Sequence, residues 1–110
     1  MPTRNLDKLF APRAIAVIGA SSREGSVGHV TLRNLLAGGF AGPIMPVNPR
    51  HRTVADIPAY PDVDALPETP DLAVICTPPE TVPDIVDRAG RRGAKAAIVI
   101  TAGLSRTRLA

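Results

Sequence analysis

Residues 14–28, Ala-Ile-Ala-Val-Ile-Gly-Ala-Ser-Ser-Arg-Glu-Gly-Ser-Val-Gly, constrain the fold of this chain more than any other stretch. Five apolar residues in a row predict a short strand covered on both faces, as in a parallel sheet. Gly19 then allows a tight turn, and Gly25 and Gly28 allow close approach and helix–strand packing. The turn opens a helix over 27–37, with Val27, Val30, Leu35 and Leu36 expected to face the sheet and Gly38-Gly39 ending it. A strand that runs directly into a helix this way is the first half of a βαβ unit.

The rest of the chain repeats the alternation. Residues 44–47, Ile-Met-Pro-Val, predict a second strand, and Pro46 favours an edge or a strand end because it cannot donate a ladder hydrogen bond. A proline-rich stretch over 48–71 reads mostly as turns, with a short extended piece from Val54 and one helical turn over 62–66. Residues 71–76 predict a third strand, broken by Thr77-Pro78-Pro79. A helix follows from Pro79 or Glu80, its face formed by Val82, Ile85, Val86 and Ala89 at helical spacing, with Gly90 and Gly93 ending it. Residues 96–100 predict a fourth strand. Near the start, Leu6, Leu9 and Phe10 predict a short helix over 5–10, stopped by Pro12.

This order implies an α/β fold with a doubly wound parallel sheet and right-handed crossovers. The 110 residues are expected to form a single domain, 1–110. After the fourth strand only 101–110 remain, too short for another helix and strand, so the sheet is expected to be incomplete at its C-terminal end. Aromatic residues are scarce (Phe10, Phe40, Tyr60), which leaves the core to Val, Ile, Leu and Ala.

Charge and cysteine use narrow the function classes. The formal net charge is +3, and Arg88, Arg91, Arg92, Lys95, Arg106 and Arg108 form a basic end without acids. Helix termination explains Arg88, Arg91 and Arg92, since cations complement the C-terminal dipole. Aromatic interleaving and nucleic-acid motifs are absent, so no nucleic-acid partner is expected. The single cysteine, Cys76, excludes an intramolecular disulfide and fits a reducing, cytoplasmic compartment. No export leader and no run of about 20 apolar residues is present, which argues against a membrane partner.

In an open parallel sheet, ligands bind beyond the carboxyl ends of the strands. Every small, irregular segment of this chain falls at such an end: Gly19-Ala-Ser-Ser22, Asn48-Pro-Arg50, Thr77-Pro-Pro79 and Thr101-Ala-Gly103. Ser21 and Ser22 can donate hydroxyl and backbone hydrogen bonds to phosphate, although turn and N-cap chemistry also explains them. Ser21 stands where G-x-G-x-x-G would have its second glycine, and the turn is longer. The second strand ends in Asn48, Pro49 and Arg50 rather than the acid that holds a ribose 2′-hydroxyl. Arg50 therefore suits a phosphorylated ribose, with His51 and Arg52 as secondary candidates. The rings of Pro78 and Pro79 could flank an adenine or a pantetheine arm, or could only start a helix. His29 reads as structural or solvent-facing, and Cys76 as a small buried hydrophobe. No metal-ligand spacing and no acid–base pair stands out, so no metal and no catalytic residue is expected. Coenzyme A is the first choice of ligand. An NADP-binding dehydrogenase fragment is the alternative, since Arg50 could equally hold a 2′-phosphate.

With those residues in view, the segment from Leu6 to Ser21 resembles the start of the CoA-binding domain of NDP-forming acyl-CoA synthetases. Gly25-Ser-Val-Gly28, Pro46-Val-Asn-Pro-Arg50, Pro70-Asp-Leu-Ala-Val-Ile-Cys-Thr-Pro-Pro79 and Ile100-Thr-Ala-Gly103 continue the resemblance in order. The same domain occurs in succinyl-CoA ligase alpha subunits, in ADP-forming acetate–CoA ligases, and fused to GNAT-type acetyltransferases in bacteria. The resemblance implies a Rossmann-like domain with CoA or acyl-CoA across the strand ends. The phosphate-binding turn would comprise Gly19, Ser21, Ser22 and Gly28, and Arg50 would stand where lysine is more usual. Thr77, Pro78, Pro79, Thr101 and Gly103 would complete the site. The phosphohistidine of the synthetases belongs to a following domain, so this segment would hold CoA for the ligase domains, or sense CoA or acyl-CoA to regulate a fused acetyltransferase, rather than catalyse alone.

Overall fold

The computed structural model describes residues 12–100. The helix expected over 5–10, together with Thr101 and Gly103, lies outside them. Strand β1 (Ile15–Ile18) leads into helix α1 (Val27–Ala37), and β2 (Ile44–Val47) follows. A hairpin of β3 (Thr53–Val54) and β4 (Ile57–Pro58) and a 3-10 turn (Val63–Ala65) fill the proline-rich stretch. Strand β5 (Leu72–Ile75), a second 3-10 turn (Pro79–Thr81), helix α2 (Val82–Arg92) and β6 (Ala96–Val99) complete the order.

The four longer strands form one sheet in the order β2-β1-β5-β6, and every pairing is parallel. The chain leaves β1 for β2 on one side and leaves β5 for β6 on the other. The two directions diverge between β1 and β5, which is the switch point where open α/β sheets bind ligands. Strand β2 is an edge, as Pro46 requires. Its carbonyl accepts from Tyr60 N–H on the outer side, so the missing proline donor also falls on that side rather than in the β1 ladder.

Strands β1 and β5 are buried on both faces, which separates two apolar clusters. On the α1 side, Ile15, Val17, Leu72 and Val74 pack with Leu32 of α1 and Val54 of the hairpin. On the α2 side, Ala16, Ile18, Ala73 and Ile75 pack with Val63, Leu66 and Ala89. The α2 stripe is Val82, Ile85 and Ala89; Val86 turns outward.

The α1 stripe differs from the expected one. Gly28 and Leu32 are its buried positions, whereas Val30 and Leu36 are exposed. A glycine at the point of closest contact carries no side chain, so a hydrophobic pattern does not register it. Helix α2 also passes through Gly90 and ends only at Gly93, whose left-handed conformation (φ +107°) caps it.

Arg92 ties α2 to the first 3-10 turn by donating to the carbonyls of Val63, Leu66 and Glu68. Arg88 pairs with Asp84 at 3.4 Å and Arg91 with Asp87 at 3.1 Å, so these cations neutralise their own helix.

Candidate functional site

Gly19 ends β1 at the switch point, with φ +91°. A Cβ built there would lie 2.9 Å from the Cys76 backbone and 3.0 Å from Thr77 Cγ2. The ends of β1 and β5 therefore touch only because residue 19 has no side chain. Gly28 meets the same point from α1: a Cβ there would run into the Gly19 carbonyl oxygen. The first turn of the helix is thus drawn directly onto the strand end.

Helix α1 begins at an N-cap serine. Ser26 Oγ accepts from His29 N–H at 3.3 Å and donates to the Arg23 carbonyl at 2.8 Å. No acidic residue occupies the first turn, so the positive end of the helix is not neutralised by its own side chains. The N–H groups of Ser21, Ser22, Val27 and Gly28 have no acceptor among the described residues. Unpaired donors at a positive helix end form a site for an anion.

Asn48 shapes the opposite wall. Its Nδ2 donates to the Ala20 carbonyl at 2.8 Å, while its Oδ1 accepts from the N–H groups of Arg50 at 2.7 Å and His51 at 3.2 Å. The side chain is spent inside the protein, which makes Asn48 a holder of the site's walls. The turn it makes exposes Arg50 and His51. Neither Arg50 nor Arg23 has an acidic partner among the described residues.

On the β5 side, the Thr77 and Thr81 hydroxyls lie 2.6 Å apart, and the Thr81 hydroxyl lies 2.6 Å from the Pro78 carbonyl. A carbonyl only accepts, so Thr81 donates to it and takes its second bond from Thr77. This fixes the bend that carries Pro78 and Pro79. Burial pushes the Cys76 thiol above its usual range and outweighs the opposing hydrogen bond with Thr31. Cys76 is therefore a neutral thiol and not an activated nucleophile.

These segments enclose a cleft of about 750 Å³. Gly19, Ser21, Ser22, Gly28, Asn48, Arg50, Thr77, Pro78 and Pro79 line it, all of them candidates from the sequence. Pro49 instead lines a neighbouring cavity of about 210 Å³, bounded by Ile18, Val47, Val63 and Ile85 and rimmed by Asp62, Asp84 and Arg88. The two share Gly19 and Thr77 at the strand ends. Arg23, Ser26 and Cys76 also line the larger cleft and were not singled out as ligand contacts from sequence. Arg23 and Ser26 lay inside the glycine turn, but only the fold shows that they face the same space. Among the described residues, no group of three or more His, Cys, Asp or Glu is placed to hold a metal ion. None of their helices is long and apolar enough to cross a membrane.

Comparison with known proteins gives this chain a family. The ADP-forming acetate–CoA ligase I of Archaeoglobus fulgidus is 43% identical over 98 residues, which are 89% of this chain and 14% of that protein. The ADP-forming 4-hydroxybutyrate–CoA ligase of Nitrosopumilus maritimus is 39% identical over 95 residues, 86% of this chain and 14% of that protein. Among solved structures, the dinucleotide-forming acetyl-coenzyme A synthetase 1 of Ca. Korarchaeum cryptofilum, in complex with phosphate and ADP, superposes with a TM-score of 0.84. It is 43% identical and covers 89% of this chain and 21% of that one. This chain thus spans less than a quarter of the length of these relatives. The dehydrogenase alternative is not favoured by any of them. Residues 13–110 match the family described as "CoA binding domain", and the chain belongs to that family of CoA-binding domains.

Proposed function

We propose that this chain is the CoA-holding module of an ADP-forming acid–CoA ligase and that CoA lies across the cleft at the switch point. The observation that carries the reading is the pairing, in one cleft, of an unneutralised helix N-terminus with the unpaired cation of Arg50. CoA carries a pyrophosphate and a separate ribose 3′-phosphate, so it needs two anion sites a nucleotide's length apart. The pyrophosphate lies against the Ser21–Ser22 turn and the first turn of α1, with Ser21, Ser22, Gly19 and Gly28 providing donors and close approach. Arg50 holds the 3′-phosphate through its planar fork, on a turn set by Asn48. Thr77, Pro78 and Pro79 flank the apolar parts of the ligand, with Pro49 reached only where the ligand extends past Gly19 and Thr77 into the smaller cavity. Thr101 and Gly103 lie outside the described residues and stay candidates from the sequence. The cleft is in the size range of small-ligand sites, about 300–1,000 Å³.

The acid is chosen elsewhere in such a ligase. Relatives named for acids as different as acetate and 4-hydroxybutyrate share this segment at similar identity. The module's contribution is to bind and orient CoA, and other ligase domains or subunits are its partners. Ligase relatives favour this role over a fusion to an acetyltransferase, and a single free cysteine, Cys76, suits a cytoplasmic setting.

Titration calorimetry with CoA, 3′-dephospho-CoA and NADPH tests the reading. CoA should bind best, and Arg50→Ala should weaken CoA roughly tenfold while leaving 3′-dephospho-CoA almost unchanged. Preferential binding of NADPH, or equal effects of Arg50→Ala on both CoA forms, would overturn the assignment.

A further inference from the structure

His29 was expected to be structural or solvent-facing, yet its ring reaches back to the phosphate turn. Its Nδ1 lies 3.1 Å from the Ser21 carbonyl oxygen, eight residues earlier in the chain. A carbonyl oxygen only accepts, so Nδ1 carries the proton and donates. The backbone N–H of His29 is already taken by Ser26 Oγ, which fixes the start of the side chain as well.

The consequence follows from peptide geometry. All described peptide bonds are trans, and in a trans peptide the C=O and the next N–H point in opposite directions. Holding the Ser21 carbonyl toward His29 therefore turns the Ser22 N–H away from the imidazole. Ser21 and Ser22 line the cleft and His29 does not. The Ser22 N–H has no acceptor in the described chain. The preceding carbonyl, of Ala20, is held by Asn48. Two consecutive peptides of the turn are thus pinned by side chains from different elements, and consecutive oriented N–H groups make an anion cradle.

We propose that His29 is a positioning residue, which aims the Ser22 N–H at a phosphate of the ligand by holding the Ser21 carbonyl. The inference rests on the CoA reading above and adds to it a residue that touches no ligand.

Two substitutions separate the donor from the ring. His29→Phe keeps the ring and removes the donor. His29→Asn removes the ring but places an amide nitrogen on Cγ, where Nδ1 stood. Calorimetry with CoA should show His29→Phe weakened roughly tenfold, the loss of one charge-assisted hydrogen bond, and His29→Asn restored to within about threefold. The Ser22 amide resonance should shift on CoA addition in the unmodified chain and in His29→Asn, and stay in place in His29→Phe. If His29→Phe does not fold, His29→Leu takes its place as the donor-free variant. Binding by the donor-free variant within about twofold of the unmodified chain, or by His29→Asn no tighter than the donor-free variant, would overturn this inference alone. Failure of the unmodified chain to bind CoA would overturn the CoA reading and this inference with it.

Discussion

The side-chain amide of Asn48 donates to the Ala20 carbonyl at 2.8 Å, joining the end of β2 to the turn after β1. Its other end accepts from Arg50 and His51. One residue therefore sets the spacing between two walls of the cleft. Asn48→Ala should cost about 1–3 kcal/mol of stability, since it leaves the part-buried Ala20 carbonyl without its partner. Asn48→Asp should cost more, because a carboxylate would face that carbonyl where a donor stood. Urea unfolding of the two variants checks the order, and an Asn48→Asp variant as stable as the unmodified chain would mean that the amide end contributes nothing.

The contact between Gly28 and Gly19 predicts two opposite results for one kind of substitution. Gly28→Ala drives a methyl into a backbone carbonyl that has no rotamer to escape by, and should destabilise by about 1–3 kcal/mol or more. Gly90→Ala lies in the interior of α2, with nothing within 4 Å of the added Cβ and an ordinary helical conformation. It should stabilise by about 0.4–1 kcal/mol by restricting the unfolded chain. Denaturant midpoints of both variants decide the matter, and Gly28→Ala would also blunt CoA binding by displacing the turn.

These contacts mark how far the sequence could be read. The four long strands, both helices and the gathering of three strand ends at one edge are local in origin, written in apolar runs and glycine breaks. The β3–β4 hairpin was legible only as an extended piece at Val54. Its turn residues, Ala55 and Asp56, both have positive φ (53° and 65°), where Asn-Gly would have announced the turn. Val30 and Leu36 were misplaced because the helix contact is centred on a glycine. The roles of Asn48 and His29 were illegible for a different reason. Each acts through a carbonyl brought near by tertiary folding, and a carbonyl belongs to every residue alike.

Cys76 gives a dependence on pH. Burial holds its thiol neutral and raises its pKa above the usual 9.0, so the folded state keeps a proton that the unfolded state loses first. That contribution is complete below the unfolded value and is lost as pH rises through the folded one. Stability should therefore decline above pH 9, and Cys76→Ala should remove that part of the decline. Because Cys76 lines the cleft, CoA should also slow its alkylation by iodoacetamide. Alkylation at an unchanged rate under saturating CoA would place the ligand away from the end of β5.

Arg92 tests whether α2 and the first 3-10 turn act as one unit. Its guanidinium donates to the carbonyls of Val63, Leu66 and Glu68, and the Val63 carbonyl also accepts the Leu66 N–H of the turn. Val63 and Leu66 are themselves buried against the α2 face of the sheet, and Val63 also bounds the smaller cavity beside the cleft. Arg92→Met keeps most of the aliphatic stem but removes every donor. It should lower stability by about 1–3 kcal/mol, in the range of hydrogen bonds from a charged group. Arg92→Lys should recover less than half of the loss, because an ammonium cannot span three carbonyls as a planar fork does. Hydrogen exchange at the Leu66 amide, which donates to the Val63 carbonyl, should quicken in Arg92→Met before global unfolding does. Equal stability of the methionine and lysine variants would show that packing of the stem, rather than its donors, holds the turn to the helix.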